Sequence, residues 1–159
     1  MITDGMAKII GDGASLYYFL VNKHAKIKQS FYSLEQDQDI RHMMQWFQRT
    51  MRRNTSILIR KILNPRKGNH KENMAIEHLN EDLDEFMEMI LPKINSKLTK
   101  TTYVTGPKLT IIDIMIYCDV QTILKLYKRE IENSKTDLTA IKGWYDSLSE
   151  HGAIQRVNK

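Results

Sequence analysis

The chain has 159 residues, with 24 lysines and arginines against 19 acids, a formal net charge of +5, 42% hydrophobic and 27% charged residues. That composition excludes a disordered polyelectrolyte and suits one soluble domain able to bury a core of its own. A single cysteine, Cys118, excludes an internal disulfide and a cysteine-built metal site, and it fits a reducing compartment.

Met1 to Asp12 is mixed and carries two acids, so it reads neither as a secretory leader nor as a transit peptide, and an intracellular, cytoplasmic protein is expected. Thr3-Asp4-Gly5 is a turn signal, and Ala7 to Ile10 reads as one short strand. Ala14 to His24 reads as a helix with Leu16, Phe19 and Leu20 inside, followed by a linker over Lys26 to Leu34. A long helix is predicted from Gln36 to Leu63, because Ile40, Met43, Met44, Phe47, Met51, Leu58 and Ile62 step by threes and fours or their sums. Pro65 and Gly68 close it, and a basic loop runs from Asn64 to Lys71.

A second long helix is predicted from Glu72 to Lys97, with Ile76, Leu79, Leu83, Phe86, Ile90 and Ile94 inside and Pro92 expected to kink it or end its first part. Gly106-Pro107 breaks the chain before a third helix, Thr110 to about Arg129. Thr110 and Asp113 have the spacing of a capping box, and Leu109 and Ile114 are placed to staple it. Ile111 to Leu126 is apolar almost all the way round and is expected to be buried throughout, with Cys118 a core thiol. Asp113, Asp119 and Gln121 interrupt that run, which is too short to span a bilayer. An amphipathic helix with Leu138, Ile141, Trp144, Tyr145 and Leu148 follows, ended by Gly152, and Ala153, Ile154 and Val157 pack a short tail helix. The fold class expected is mainly α, a helical bundle around one apolar central helix.

Charge is segregated along the chain. From Ile40 to Lys71 there are nine lysines and arginines and no acid; from Glu72 to Pro92 there are seven acids and no lysine or arginine. Two readings stay open: the two helices complement one another, or each presents a charged face to a different partner. The face from Arg41 to Lys71 could meet RNA or an acidic protein surface, although no aromatics interleave with the arginines to stack bases. The histidines at 24, 42, 70, 78 and 151 share no ligand spacing, and no metal is expected.

The phrase Tyr103-Val104-Thr105-Gly106-Pro107-Lys108-Leu109-Thr110-Ile111-Ile112-Asp113 resembles the one that opens the buried helix of the glutathione transferase C-terminal domain. Ile141-Lys142-Gly143-Trp144-Tyr145 followed by Gly152 to Val157 is similar to that family's closing motif, and Trp46 to Arg53 is similar to the first long helix of its theta class. The resemblance covers roughly Gln36 to the end and divides the chain into residues 1–35, a remnant strand and helix of a thioredoxin-like domain with a linker, and residues 36–159, the helical domain.

Asp12-Gly13-Ala14-Ser15-Leu16-Tyr17-Tyr18-Phe19-Leu20 resembles the family's glutathione-holding segment in the register set by Leu16, Phe19 and Leu20, in which Asp12 keeps the family's acid and Gly13 replaces the serine that holds glutathione, leaving a vestigial glutathione site. Arg52 and Arg53 fall near the substrate side of the cleft, where a ligand or partner role competes with a solvated helix face. Thr110 and Asp113 are structural. The family's activating serine, tyrosine or cysteine and its cis-proline would lie upstream of Met1, so the resemblance implies no catalytic residue in this chain and no cofactor, unless glutathione is still bound. It implies a non-catalytic interaction or scaffold subunit docked in a larger assembly of the translation, aminoacyl-tRNA synthetase or axonemal and microtubule type, with cytoplasmic, cytoskeletal or ciliary placement. The alternative is a transferase or ligandin fragment whose catalytic half is supplied elsewhere.

Overall fold

The computed structural model describes residues 2–4, 7–9, 23, 34–63, 81–132 and 136–157. Strands β1 (Ile2–Asp4) and β2 (Ala7–Ile9) pair antiparallel, with Ile2 opposite Ile9, Thr3 opposite Lys8 and Asp4 opposite Ala7. The chain reverses after Asp4, where Thr3-Asp4-Gly5 signals a turn, although Thr3 and Asp4 themselves belong to the ladder. Lys23 is helical and exposed. The rest of the helix expected over Ala14 to His24, the loop Asn64 to Lys71 and the first turns of the second long helix lie outside the described residues, as do Asp12 and Gly13.

Everything else described is helical or connects helices, and the chain is mainly α. A 3₁₀ turn, Leu34–Gln36, leads into α1 (Asp37–Trp46), where Asp37 and Asp39 sit favourably in the first turn against the helix dipole. A π turn, Phe47–Met51, joins α1 to α2 (Arg52–Leu63); there the amide of Arg52 reaches five residues back to the carbonyl of Phe47. The inner stripe, Ile40, Met43, Met44, Phe47, Met51 and Leu58, is buried, and between Met51 and Leu58 the buried positions turn polar at Asn54 and Thr55.

In the second long helix, residues 81–85 are helical, the π turn Phe86–Ile90 follows, and α3 (Leu91–Leu98) completes it. Pro92 neither ends this helix nor sits in an ordinary helix interior. A proline ring would collide with the carbonyl four residues back, and the wider turn just upstream, closed by the Leu91 amide on the Phe86 carbonyl, leaves Pro92 in the first turn of α3, where it is tolerated.

Helix α4 (Ile111–Leu126) stops short of the expected Arg129. Tyr127 leaves helical geometry to bury its ring and donate its hydroxyl to the Leu58 carbonyl at 3.3 Å, after which α5 (Lys128–Glu132) resumes. Helix α6 spans Thr139–Ser149 and α7 spans Gly152–Val157, so Gly152 opens the tail helix rather than ending α6. Because Leu138 has no capping side chain, the α6 amides find acceptors elsewhere. Asp137 takes that of Thr139 at 3.0 Å, and Asn95, reaching across from α3, takes that of Ile141 at 3.1 Å.

Helix α4 packs on α1 and α2, α3 packs on α6, and α7 on α6. The core fills between them with Ile112, Ile116, Val120 and Ile123 from α4, Phe86, Ile90 and Ile94 from the second long helix, and Trp144 and Leu148 from α6. Tyr117 stacks on Tyr145 at 4.9 Å between ring centres and meets Trp144 edge-on. The expectation that α4 is buried all round is corrected. Ile112, Ile116, Tyr117, Val120 and Ile123 face inward, but Cys118 and Leu126 are exposed and Ile111, Ile114 and Met115 are half-buried, so one side of the most apolar helix meets solvent. Among the described residues, no helix is long and apolar enough to cross a membrane.

Candidate functional site

Polar side chains inside an apolar bundle need partners, and two carboxylates of α4 organise most of those buried here. Asp113 Oδ2 accepts the Thr110 backbone amide and the Thr110 hydroxyl, both at 3.0 Å, and the capping box is closed. Its Oδ1 accepts the Val104 amide at 2.8 Å and the Trp144 indole N–H at 3.3 Å. Thr105 extends the chain of hydroxyls, 3.1 Å from Thr110. One enclosed carboxylate thus joins the 103–110 loop, the start of α4 and the face of α6. Burial pushes its pKa up, and the four hydrogen bonds pull it back only in part.

The loop it anchors turns sharply, with reciprocal backbone bonds between Tyr103 and Gly106 at 3.0 and 3.1 Å. Gly106 has φ +146°, and a Cβ there would lie 2.1 Å from Nε2 of the buried Gln36, so both conformation and space demand glycine.

The second carboxylate, Asp119, is engaged from α2. Arg52 donates to Oδ1 in an ion pair, and the Thr55 hydroxyl donates to Oδ2 at 2.8 Å. The Asp119 side chain is 3% exposed, while that of Arg52 is 55% exposed, so the guanidinium reaches in from solvent to meet a buried charge. Burial again raises the carboxyl pKa, against the Thr55 bond and the Arg52 charge. Asn54 makes the corresponding link to the second long helix, donating to the Asp82 carbonyl and to Glu85 Oε2, each at 3.2 Å.

Of the residues singled out from the sequence, Thr110 and Asp113 act together as a cap. Arg52 and Arg53 are separated in role: Arg52 is bound to Asp119, and Arg53 is exposed on the outer side of α2. Cys118 is corrected from core thiol to exposed residue; partial desolvation first and then the neighbouring Asp119 charge raise its pKa, which disfavours the nucleophilic thiolate. Met43, Met44, Met51 and Met87 are buried, whereas Met89 is 67% exposed. Among the described residues, no group of three or more His, Cys, Asp or Glu is placed to hold a metal ion.

Asp119, Thr55 and Asn54 are the organising residues that sequence reasoning passed over. Their signal was present: Asn54 and Thr55 occupy inner positions of a helical stripe, and Asp119 is an acid inside an apolar helix, a place where charge needs a partner.

The basic and acidic helices lie in one bundle, yet the buried link between them is the Asn54 amide. Among the described residues, Arg49, Arg53 and Arg60 bond none of the acids of the second helix, and Glu81, Asp84, Glu85 and Glu88 are themselves exposed. Compared with protein-family models, curated proteins and solved structures, the chain matches none.

Proposed function

We propose that this chain is a non-catalytic docking module with the helical bundle of the glutathione transferase C-terminal domain, held as a subunit of a larger assembly of the translation, aminoacyl-tRNA synthetase or axonemal microtubule type. The observation that carries this reading is the uncovered side of α4. Along about 22 Å of helix axis Ile111, Ile114 and Met115 are half-buried and Cys118 and Leu126 are exposed, Leu126 to 39%, with Thr122 and Lys125 between the last two. A partly exposed apolar side on the central helix is a surface that a partner can cover.

The internal chemistry supports the same reading. The carboxylates of Asp113 and Asp119 are saturated by groups that hold the helices together, and Arg52, which the resemblance puts on the substrate side, is tied to one of them.

The test is the native size of the endogenous protein in gentle extract, with retention on glutathione resin scored on the same fractions. Migration in a particle far larger than one 18.7 kDa chain, without resin retention, is expected. A small species that the resin retains would overturn the docking reading in favour of a glutathione-binding one.

A further inference from the structure

Subtracting the arginines already engaged leaves a defined cationic row. Arg41 pairs with Asp37 one turn earlier, and Arg52 is bound to Asp119. Arg49, Arg53 and Arg60 remain; all three are exposed, and none makes a hydrogen bond or ion pair with the described residues. Their spacing of four and seven residues puts them within roughly 40° of one another around the helix, in a line about 16 Å long. No acid interrupts the helix between Ile40 and Leu63.

Trp46, one turn before Arg49, could serve as a stacking platform for a base, but the Lys93 ammonium lies 4.8 Å from its ring centre. That contact sets a cation from α3 against the half-buried aromatic one turn before Arg49. A guanidinium presents a planar fork matched to a carboxylate, as Arg52 and Asp119 illustrate inside this fold. Forks in line along the π turn and the helix that continues it match carboxylates in line on another helix, whereas a single-stranded nucleic acid would call for open aromatic faces between the cations.

We propose that the outer face of the Phe47–Met51 turn and α2, through Arg49, Arg53 and Arg60, with Lys93 of α3 held over Trp46 one turn before them, binds an acidic helical segment of a partner protein, one that presents glutamates or aspartates at matching four- and seven-residue spacing. This deepens the docking reading and rests on it, naming the chemistry of one partner.

The experiment measures binding of the whole chain to a labelled helical peptide of about 20 residues, long enough to hold helix in water, with glutamates at that spacing. A permuted peptide of equal charge, a duplex RNA and a single-stranded RNA serve as competitors. The expected result is tighter binding of the patterned peptide than of the permuted one, weakening as salt rises. It should fall roughly tenfold or more in the Arg49→Glu/Arg53→Glu/Arg60→Glu variant and stay unchanged in Lys142→Glu, an exposed charge on α6. Circular dichroism establishes that both variants keep the fold. Equal binding of the two peptides, preference for either RNA, or indifference to the triple reversal overturns the proposal. If the endogenous protein still migrates in its large particle, such a result removes the acidic partner and leaves the docking reading standing.

Discussion

Asp113 and Asp119 lie six residues apart on the same helix, both buried, and they solve the problem of a charge inside an apolar bundle in different ways. Asp113 is enclosed by donors that belong to the fold: two backbone amides, a hydroxyl and an indole N–H. None of the four can turn to water without the loop or α6 moving. Asp119 is met by one hydroxyl and by a guanidinium that is more than half exposed and can swing outward. The first site therefore fixes the architecture at the junction of three segments. The second ties α2 to α4 through a side chain that also faces solvent. What distinguishes them is less the depth of the carboxylate than whether its donors have somewhere else to go.

The largest expected effect is at the enclosed site. Asp113→Ala leaves the Val104 and Thr110 amides buried without an acceptor, and a loss of about 3–5 kcal/mol of folding stability is expected, read as a shift in the urea midpoint. A loss no greater than that of Asp119→Ala would break the comparison.

Gly106→Ala sharpens the same side of it, since that glycine lets the 103–110 loop reach Asp113. A positive φ and a Cβ driven onto Gln36 should cost about 2–3 kcal/mol. Recovery of the loss in Gly106→Ala/Gln36→Ala would apportion it to the collision, and no recovery would apportion it to the backbone.

On the other side, Asp119→Ala should cost only about 1–2 kcal/mol, because Arg52 moves into water and the Thr55 hydroxyl can donate instead to the Arg52 carbonyl, 3.2 Å away. Arg52→Ala leaves the buried carboxyl with Thr55 alone. Its pKa should then rise further, followed directly by the carbon-13 shift of the Asp119 carboxyl. An unchanged titration would mean that Arg52 does not act on Asp119.

The smallest effect is on the pH profile. Both carboxyls have folded-state pKa values raised above the ordinary 3.8, so between 3.8 and those values the native state holds more protons than the unfolded chain. Their contribution to stability is full below 3.8 and is lost as pH rises through the raised values. Mild acidification within that window should therefore raise the urea midpoint, and Asp113→Asn or Asp119→Asn should each flatten the slope. Asp137 has the opposite sign: its bonds from the Thr139 amide and hydroxyl lower its pKa, so its contribution is present above 3.8 and disappears as pH falls through the lowered value. A slope unaltered by both asparagine variants would place the titration elsewhere.

Much of this molecule was legible in the chain. The stripe from Ile40 to Leu58, the inner set Leu83, Phe86, Ile90 and Ile94, and the Thr110–Asp113 spacing each depend on neighbours within a turn or two, and local periodicity and capping chemistry suffice to read them. The segregated charge was legible too, as a pattern without an address. The π turns, the break at Tyr127 and the exposure of Cys118 were not. Pro92 announced trouble for its helix but not its form, because whether a proline ends, kinks or widens a helix depends on what packs around it. The hydrophobicity of α4 suggested burial on all sides, yet hydrophobicity states what a face prefers and not how many helices are there to cover it.

By itself, then, the sequence determined the helices, their inner faces and the cap that starts α4, since these are set by intervals of three to seven residues. Only the tertiary structure decided which of the arginines pairs with the buried Asp119, which of them stand in a row in solvent, and which side of α4 is left uncovered. Those outcomes hang on contacts between residues 64 to 67 positions apart, such as Thr55 and Arg52 with Asp119, which exist only once the bundle has formed.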